Sequence, residues 1–520
     1  MLKACVLLLV VVACHHSVSA DANGDLPLWP LPRQVTFPTE RNEVKVLGPD
    51  WKCDIVIPGS PSEILKEACD RYHGYINAVS AAQVFRDKDV VQILQLNVKE
   101  AEQDTELNMN TNESYSIHVD KTNVVKIFAD NVFGALRALE TFSQVVSGNM
   151  TLPELAIKDR PRFQHRELLV DTARYYLNTS FLEHIVDAMS FSKFNVLHWH
   201  VIDSQSFSIQ SKKYPLLSEK GQFKDNSHFC PYSSCVYSAE DIRGLVSYAR
   251  ARGVRVLLEV DTPGHSKSWG AAYKNMTVNL CTLNADNVPL DPTIQFTLEV
   301  VTGFLSEMLN GSNPLFPDEF VHLGGDEVDL SCWQKDKSIE KYMEENHLTP
   351  ETLLSKWLEE GREQVDKVKP NVLYWEDVFN YSSSVRNNNT IFEVWRDKST
   401  LHKIASSGSR CVLSAGWYIH AQSKWTDFYD NEPFDAEEDW TATEKSLVEG
   451  GAVSYWGCSG FCPFPYTADK FDPRTWPVAA AAAERLWSTE SVTDHGQALP
   501  RLTAHTKRLI SRGVHASKLK

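Results

Sequence analysis

The nine residues Asn195-Val196-Leu197-His198-Trp199-His200-Val201-Ile202-Asp203 begin as an apolar run and end in a polar cluster. An unbroken apolar run suits a parallel strand buried on both faces, because a strand with one wet face alternates. The same grammar recurs at 167–171, 195–203, 254–261, 320–327, 371–377, 390–397, 411–418 and 452–457. Most of these runs lead into helical periodicity, read at 180–192, 239–252, 292–309 and 350–367. Ser238 and Asp241 have capping-box spacing, and Gly253 stands where a helix ends. Eight strand–helix units predict an α/β fold, a (β/α)8 TIM barrel over residues 161–520. An open doubly wound sheet is the alternative, but it gathers its polar residues at one switch point. Here they gather at the C-terminal ends of nearly all the runs.

Residues 21–160 have another texture. Strands are read at 90–98, 115–119 and 124–128, and a helix at 130–146, which predicts a smaller N-terminal α+β domain. Arg160-Pro161-Arg162 marks the boundary. Residues 1–20 combine Lys3, an apolar stretch over 4–14 and the small-residue ending Val18-Ser19-Ala20. They read as a secretory signal peptide, and the apolar stretch is shorter than the ~20 residues of a membrane span. Asn112, Asn149, Asn178, Asn275, Asn310, Asn380 and Asn388 open glycosylation sequons, which agrees with a secretory route to the lysosome or the exterior. Cys230–Cys235 and Cys458–Cys462 are close enough to pair locally, while Cys53–Cys69 and Cys281–Cys332 would close longer loops. Spacing alone does not fix this connectivity. Cys411 opens an apolar run and is expected as a buried free thiol.

The chain of 520 residues is 42% hydrophobic and 23% charged, the balance of a packed globular protein. Its net charge of −16 and lack of a basic run exclude the electrostatic footprint of a nucleic-acid binder. No segment after the leader is long and apolar enough to span a membrane. A barrel carries its chemistry at the strand C-termini. Those ends offer Asp171 and Arg174; His198, His200 and Asp203; Asp261 and His265; Asp326 and Glu327; Trp375, Glu376 and Asp377; Trp395; Tyr418; and Trp456. Carboxylates move protons and aromatic rings stack on sugar faces, so this rim points to carbohydrate cleavage. No phosphate-binding loop or kinase signature is present.

His322-Leu323-Gly324-Gly325-Asp326-Glu327 is the sharpest element. Neighbouring carboxylates on a strand point to opposite faces, so both serve one site only where the strand ends. Crowding then raises one pKa, as a general acid requires. An acidic pair at a helix N-terminus reads equally well. His198 and His200 share a strand face and, with His265, suggest the ligands of a metal-dependent amidohydrolase. Parity puts Asp203 on the opposite face, so it is not a simple fourth ligand. A hydrogen-bonded core histidine is the plainer reading.

Asp171-Thr172-Ala173-Arg174, His198 to Asp203, Asp261-Thr262-Pro263-Gly264-His265 and His322 to Val328 occur in this order. Together they resemble the motifs of the family-20 glycoside hydrolases, the β-N-acetylhexosaminidases, and in particular the lysosomal hexosaminidase subunits. Gly134 to Phe142 resembles the N-terminal domain of that family, and Glu484-Arg485-Leu486-Trp487-Ser488 its C-terminal helix. The resemblance implies that Glu327 is the general acid/base and that Asp326 polarises the substrate's 2-acetamido group, which is itself the nucleophile. It implies a relay of Asp203 and His265 tuning Glu327, and ring-hydroxyl binding by Arg174. Trp375, Trp395 and Trp456 would wall the sugar pocket, and Tyr418 would hydrogen-bond the acetamido carbonyl.

Two positions depart from the family pattern. A glutamate is expected two residues after Trp456, where Cys458 stands, and an Asp or Asn two residues after Tyr418, where His420 stands. Both recognise hydroxyls of the terminal sugar in the family. The reading is therefore a hexosaminidase that needs no metal or cofactor, acts on a terminal N-acetylhexosamine of a glycan or glycoconjugate, and forms a homodimer. A glycan-binding protein of weak or altered activity, suggested by Cys458 and His420, is the first alternative. The metal-dependent amidohydrolase is the second.

Overall fold

The computed structural model describes residues 26–38, 44–78, 90–223, 229–278, 287–420, 423–434, 438–457 and 467–519. Seven strands, β1 (Gln34–Thr36), β2 (Val44–Val56), β3 (Val90–Val98), β4 (Tyr115–Val119), β5 (Val124–Ala129), β6 (Thr151–Pro153) and β7 (Leu155–Asp159), form one sheet in the order β1-β7-β4-β5-β3-β2-β6. Alternate residues such as Leu94, Leu96, Ile117, Ile127 and Ile157 point into a core shared with the helices Glu63–Ala78 and Val132–Val145. The other residues of each strand face away, as the period of two requires.

Eight parallel strands follow and close into a barrel: β8 (His165–Asp171), β9 (Val196–His200), β10 (Arg255–Glu259), β11 (Phe320–His322), β12 (Asn371–Trp375), β13 (Thr390–Val394), β14 (Arg410–Leu413) and β15 (Val448–Tyr455). Their outward residues pack under the helices, among them Thr179–Phe191, Ala239–Arg250, Gln295–Leu309 and Pro350–Val365. Ser238 and Asp241 form the expected capping box. The inward residues lie in layers. Val196, Leu257, Phe320, Leu373, Ile391, Val412 and Ala452 make a separate apolar cluster that Met109, from the loop before β4, closes. Two residues further along each strand the layer turns polar, with His198, Glu259, His322, Glu393, Ser414 and Ser454 all buried.

Strands β1, β2, β6 and β7 and the helix Glu63–Ala78 were not legible in the sequence reading. Gly48-Pro49-Asp50 inside β2 carries a turn signature, and the register with β3 shifts between Leu47 and Lys52 there. Disulfides join Cys53 to Cys69 and Cys230 to Cys235, and Cys411 is a buried free thiol. Cys332 is disulfide-bonded to a partner outside the described residues. Cys281, Cys458, Cys462 and the leader also lie outside them. No helix among the described residues is long and apolar enough to cross a membrane.

Buried charge joins the sheet to the barrel. Glu113 takes Arg137 Nε at 2.7 Å, from the helix Val132–Val145, and Arg166 Nη2 at 2.6 Å, from β8. Arg137 Nη2 reaches on to the Gly253 carbonyl at 2.6 Å. Burial raises the Glu113 carboxyl, and the two guanidiniums reverse that and hold it below its ordinary value. Removing the carboxylate leaves two buried cations uncompensated. Glu113→Ala is therefore expected to cost about 3–5 kcal/mol, read from urea unfolding; a loss under about 1 kcal/mol, the surface range, would contradict the clamp.

Candidate active site

Glu259, near the end of β10, gathers three neighbours. Its Oε2 lies 2.9 Å from His198 Nε2 and 2.5 Å from His200 Nδ1, and its Oε1 accepts the Trp375 indole N–H at 2.8 Å. His198 Nδ1 meets Glu167 at 2.7 Å. Burial opposes the imidazolium at His200, but Glu259 and Asp203 overcome it and raise its pKa to about 10. His198 is raised in the same way by Glu167 and Glu259 against the pull of burial. All four ring nitrogens of the two histidines thus face carboxylates. His198 is the hydrogen-bonded core residue of the plainer reading, and its ring also presents a ligand atom within 4.8 Å of those of Glu259 and His322, and of those of Glu167 and Glu393. His265, Asp326 and Glu327 also present ligand atoms within 4.8 Å of one another.

Asp203 does not face away from the two histidines. Strand β9 stops at His200, so parity does not extend to residue 203, and the turn brings Asp203 Oδ2 2.9 Å from His200 Nε2. The same Oδ2 lies 2.7 Å from Arg174 Nη2 and 3.3 Å from His265 Nδ1. Arg174 Nη1 also meets Asp171 at 3.1 Å. Burial would raise Asp203, but Arg174 and His265 hold it far below the carboxylate range.

His265 carries this network to the acidic pair. Its Nε2 is 3.6 Å from Glu327 Oε2 and 3.8 Å from Asp326 Oδ2. Glu327 has φ +48° and His265 φ +50°, both in the left-handed region that non-glycine residues seldom adopt. Turning out of the strand direction at Glu327 is what lets two consecutive carboxylates flank one imidazole. Asn287 Nδ2 donates to Glu327 Oε2 at 3.3 Å. Burial raises Asp326 well above the carboxylate range, helped by Asp261. Glu327 is lowered, chiefly by the His265 ring beside it. The crowded pair thus splits, with one carboxyl raised as crowding requires, and the raised group is Asp326. The reason is exposure, since the Asp326 side chain is 14% exposed and that of Glu327 43%.

Aromatic rings line the mouth. Trp375 is buried at the floor, 5.8 Å from the Trp456 ring, and the Arg174 guanidinium lies 5.3 Å from the centre of Trp456. Trp395 and Tyr418 stack at 6.4 Å, with His420 exposed beyond Tyr418. Cys458 lies outside the described residues. Asp377 ties this wall to the acids: it accepts the Trp395 indole N–H at 2.9 Å, Arg396 Nη2 at 2.5 Å and the Glu327 backbone N–H at 3.4 Å. Glu376 accepts the Trp395 backbone N–H at 3.1 Å, and burial with the Asp377 charge raises it to about 7. Sequence reasoning named Asp377 only as one of the rim carboxylates and did not single out Glu259 or Asn287. Glu259 had a signal, a carboxylate inside the apolar run 254–261.

The chain matches two families: glycosyl hydrolase family 20, catalytic domain, over residues 163–490, and a beta-acetyl hexosaminidase-like family over residues 28–145. It is 36% identical to the human beta-hexosaminidase subunit beta across 99% of this chain and 92% of that one. It is 33% identical to beta-hexosaminidase 1 of Arabidopsis thaliana across 98% and 95%. The crystal structure of a chitobiase from Flavobacterium johnsoniae superposes with a TM-score of 0.80 at 27% identity, covering 94% of this chain and 73% of that one.

The turn ahead of the acids tolerates no side chain. Gly324 has φ +63°, and a Cβ there would fall 1.9 Å from Asp261 Oδ1. Gly324→Ala is expected to destabilise the fold by at least about 2 kcal/mol in urea unfolding. The helical Gly361, with nothing within 4 Å of its Cβ position, serves as control, and Gly361→Ala is expected to be neutral or to gain up to about 1 kcal/mol. Equal behaviour of the two variants would contradict the geometry.

Proposed function

The chain belongs to glycosyl hydrolase family 20, and from that premise we propose that its barrel mouth releases terminal, non-reducing N-acetylglucosamine or N-acetylgalactosamine from glycoconjugates by substrate-assisted, retaining catalysis. It is a glycoside hydrolase of the β-hexosaminidase type. The observation that carries the mechanism is the left-handed turn at Glu327, which sets Asp326 and Glu327 on either side of His265 Nε2 at 3.8 and 3.6 Å.

In this reading Arg174 binds ring hydroxyls, while Trp375, Trp395 and Trp456 enclose the acetamido group. Tyr418 donates to the acetamido oxygen before attack. Anionic Asp326 accepts the amide N–H and turns that oxygen toward C1. As the C1–oxygen bond to the aglycone breaks, Glu327 gives its proton to the leaving oxygen and the amide oxygen bonds C1. The positive charge that develops on the ring lies against Asp326. Water then adds at C1 as the bond from C1 to the amide oxygen breaks and returns the acetamido group, with Glu327 taking the water's proton, and the second inversion restores the original configuration. An amide held beside C1 has little entropy left to lose, the source of most of its advantage over a free nucleophile. Asp203 and His265 act as positioning residues, holding and tuning Glu327.

The departures at Cys458 and His420 bear on grip at the far side of the sugar rather than on proton transfer. The secretory route follows the same reading: the disulfides at Cys53–Cys69, Cys230–Cys235 and Cys332 suit an oxidising compartment, and Asn112, Asn149, Asn275, Asn310, Asn380 and Asn388 are exposed. Delivery to the lysosome or the exterior, and pairing of two copies into a homodimer, belong to the proposal.

Two tests follow. Glu327→Gln is expected to lower kcat/KM on a p-nitrophenyl N-acetyl-glucosaminide about 10²–10⁴-fold. A dinitrophenyl leaving group, which departs without a proton, is expected to recover most of the first step. A variant as fast as wild type would favour the glycan-binding alternative. The second test concerns pH. In the empty site the pair keeps its proton on the raised Asp326, whereas turnover needs it on Glu327; the proton count is the same. The alkaline limb of kcat/KM therefore follows loss of that shared proton, above the ordinary carboxylate range. In Asp326→Asn only the lowered Glu327 can hold it, so the limb is expected to move to lower pH. An unmoved limb would refute the shared proton.

A further inference from the structure

The seven-stranded sheet has one face covered by its two helices, and the other carries an uncommon set of side chains. Register places Phe128, Ser116, Lys158 and Gln34 side by side across β5, β4, β7 and β1. With neighbouring strands ~4.8 Å apart, this row is about 15 Å long, comparable to a trisaccharide. The next row on the same face holds Lys126, His118, Ala156 and Thr36. Phe128 leaves 43% of its surface in water, with only the edge-on His118 ring at 5.7 Å beside it. A cleft of about 520 Å³ opens at this end, lined by Arg33, Lys99, Phe128, Lys158 and Arg160 among others.

The charge of this patch runs against that of the chain. Arg33, Lys99, Lys126, Lys158 and Arg160 face Asp120, Asp130 and the buried Asp159, and Lys99 already pairs with Asp130 at 2.5 Å. Lys158 and Arg160 are exposed and have no ion-pair partner among the described residues. Burial and then the neighbouring Arg160 lower Arg33, against the opposing pull of Asp159. A chain of net charge −16 that concentrates unpaired cations around an exposed ring presents an anion site with a stacking surface.

We propose that this open sheet face binds an acidic oligosaccharide, sulfated or uronate-bearing, with Arg33, Lys158 and Arg160 facing its anions and Phe128 stacking on a ring. The site is separate from the barrel mouth. Arg160 lies just ahead of His165, the first residue of β8, and so at the end of the barrel opposite the strand C-termini. A polymeric glycan held there would raise the local concentration of its chain ends near the mouth.

The test is titration of the full chain with a chondroitin sulfate hexasaccharide ending in a uronate, which offers no terminal hexosamine to the mouth. The desulfated hexasaccharide and neutral chitohexaose run in parallel. The acidic sugars are expected to bind, more weakly as salt rises. Tighter binding of the sulfated form would identify sulfate as the recognised anion, and equal binding the uronate. The double variant Lys158→Gln/Arg160→Gln is expected to weaken binding about tenfold and flatten its salt dependence. Phe128→Ala is expected to weaken it independently. All of these variants should hydrolyse a p-nitrophenyl N-acetyl-glucosaminide at the wild-type rate. Absence of binding, binding unchanged in the variants, or displacement by N-acetylglucosamine would overturn the proposal. Loss of hydrolysis with binding intact would instead count against the barrel-mouth reading.

Discussion

Compensation of buried charge inside the barrel is the constraint on which the site rests. Glu259 sits where water is absent, and an isolated carboxylate there is strongly unfavourable. It is held ionised, well below its ordinary value, because His200 and His198 lie against it and outweigh the penalty of burial. Each partner has a second task. His200 passes the charge to Asp203, which orients Arg174 and His265. The indole bonded to Glu259 is Trp375, floor of the mouth. Four successive contacts, Glu259 to His200, His200 to Asp203, Asp203 to His265 and His265 to the acids, thus connect the barrel interior to the acidic pair.

The acids themselves are placed by backbone conformation. Gly324 and Gly325 occupy positive φ, the Gly325 N–H reaches Asp261 at 2.8 Å, and the Gly324 N–H is accepted by His322 Nδ1 at 3.1 Å. Burial holds His322 near a pKa of about 3, neutral, so it can accept. The strain at Glu327 and His265 persists because these hydrogen bonds over-determine the turn. Its consequence is a pair of adjacent carboxylates with unlike surroundings, one enclosed and one open, and hence unlike proton affinities.

The barrel was legible because a strand buried on both faces leaves a continuous apolar signature, and all eight runs overlap observed strands. The polar interior was less so. A period-two rule tells which face a residue takes but fails one step past a strand end, and Asp203 lies three residues beyond His200. Glu259 stood in plain sight in an apolar run, yet its partners come from three other strands, β8, β9 and β12, directly or through His198, which no local pattern encodes. Adjacency told that one of the two acids is raised but not which, because that depends on side-chain exposure. In the N-terminal sheet, β2 was hidden by a turn signature that the fold absorbs as an irregularity of pairing.

The central claim is that the sugar's own amide forms the bond to C1. Replacing the acetamido methyl by mono-, di- and trifluoromethyl groups drains electron density from that oxygen with little change in size. If the amide attacks, log kcat/KM for the matching aryl glycosides falls steeply and linearly along the series, about 10²-fold or more in all, equivalent to about 3 kcal/mol of barrier. A flat series, with the trifluoro substrate cut as fast as the parent, would contradict the account.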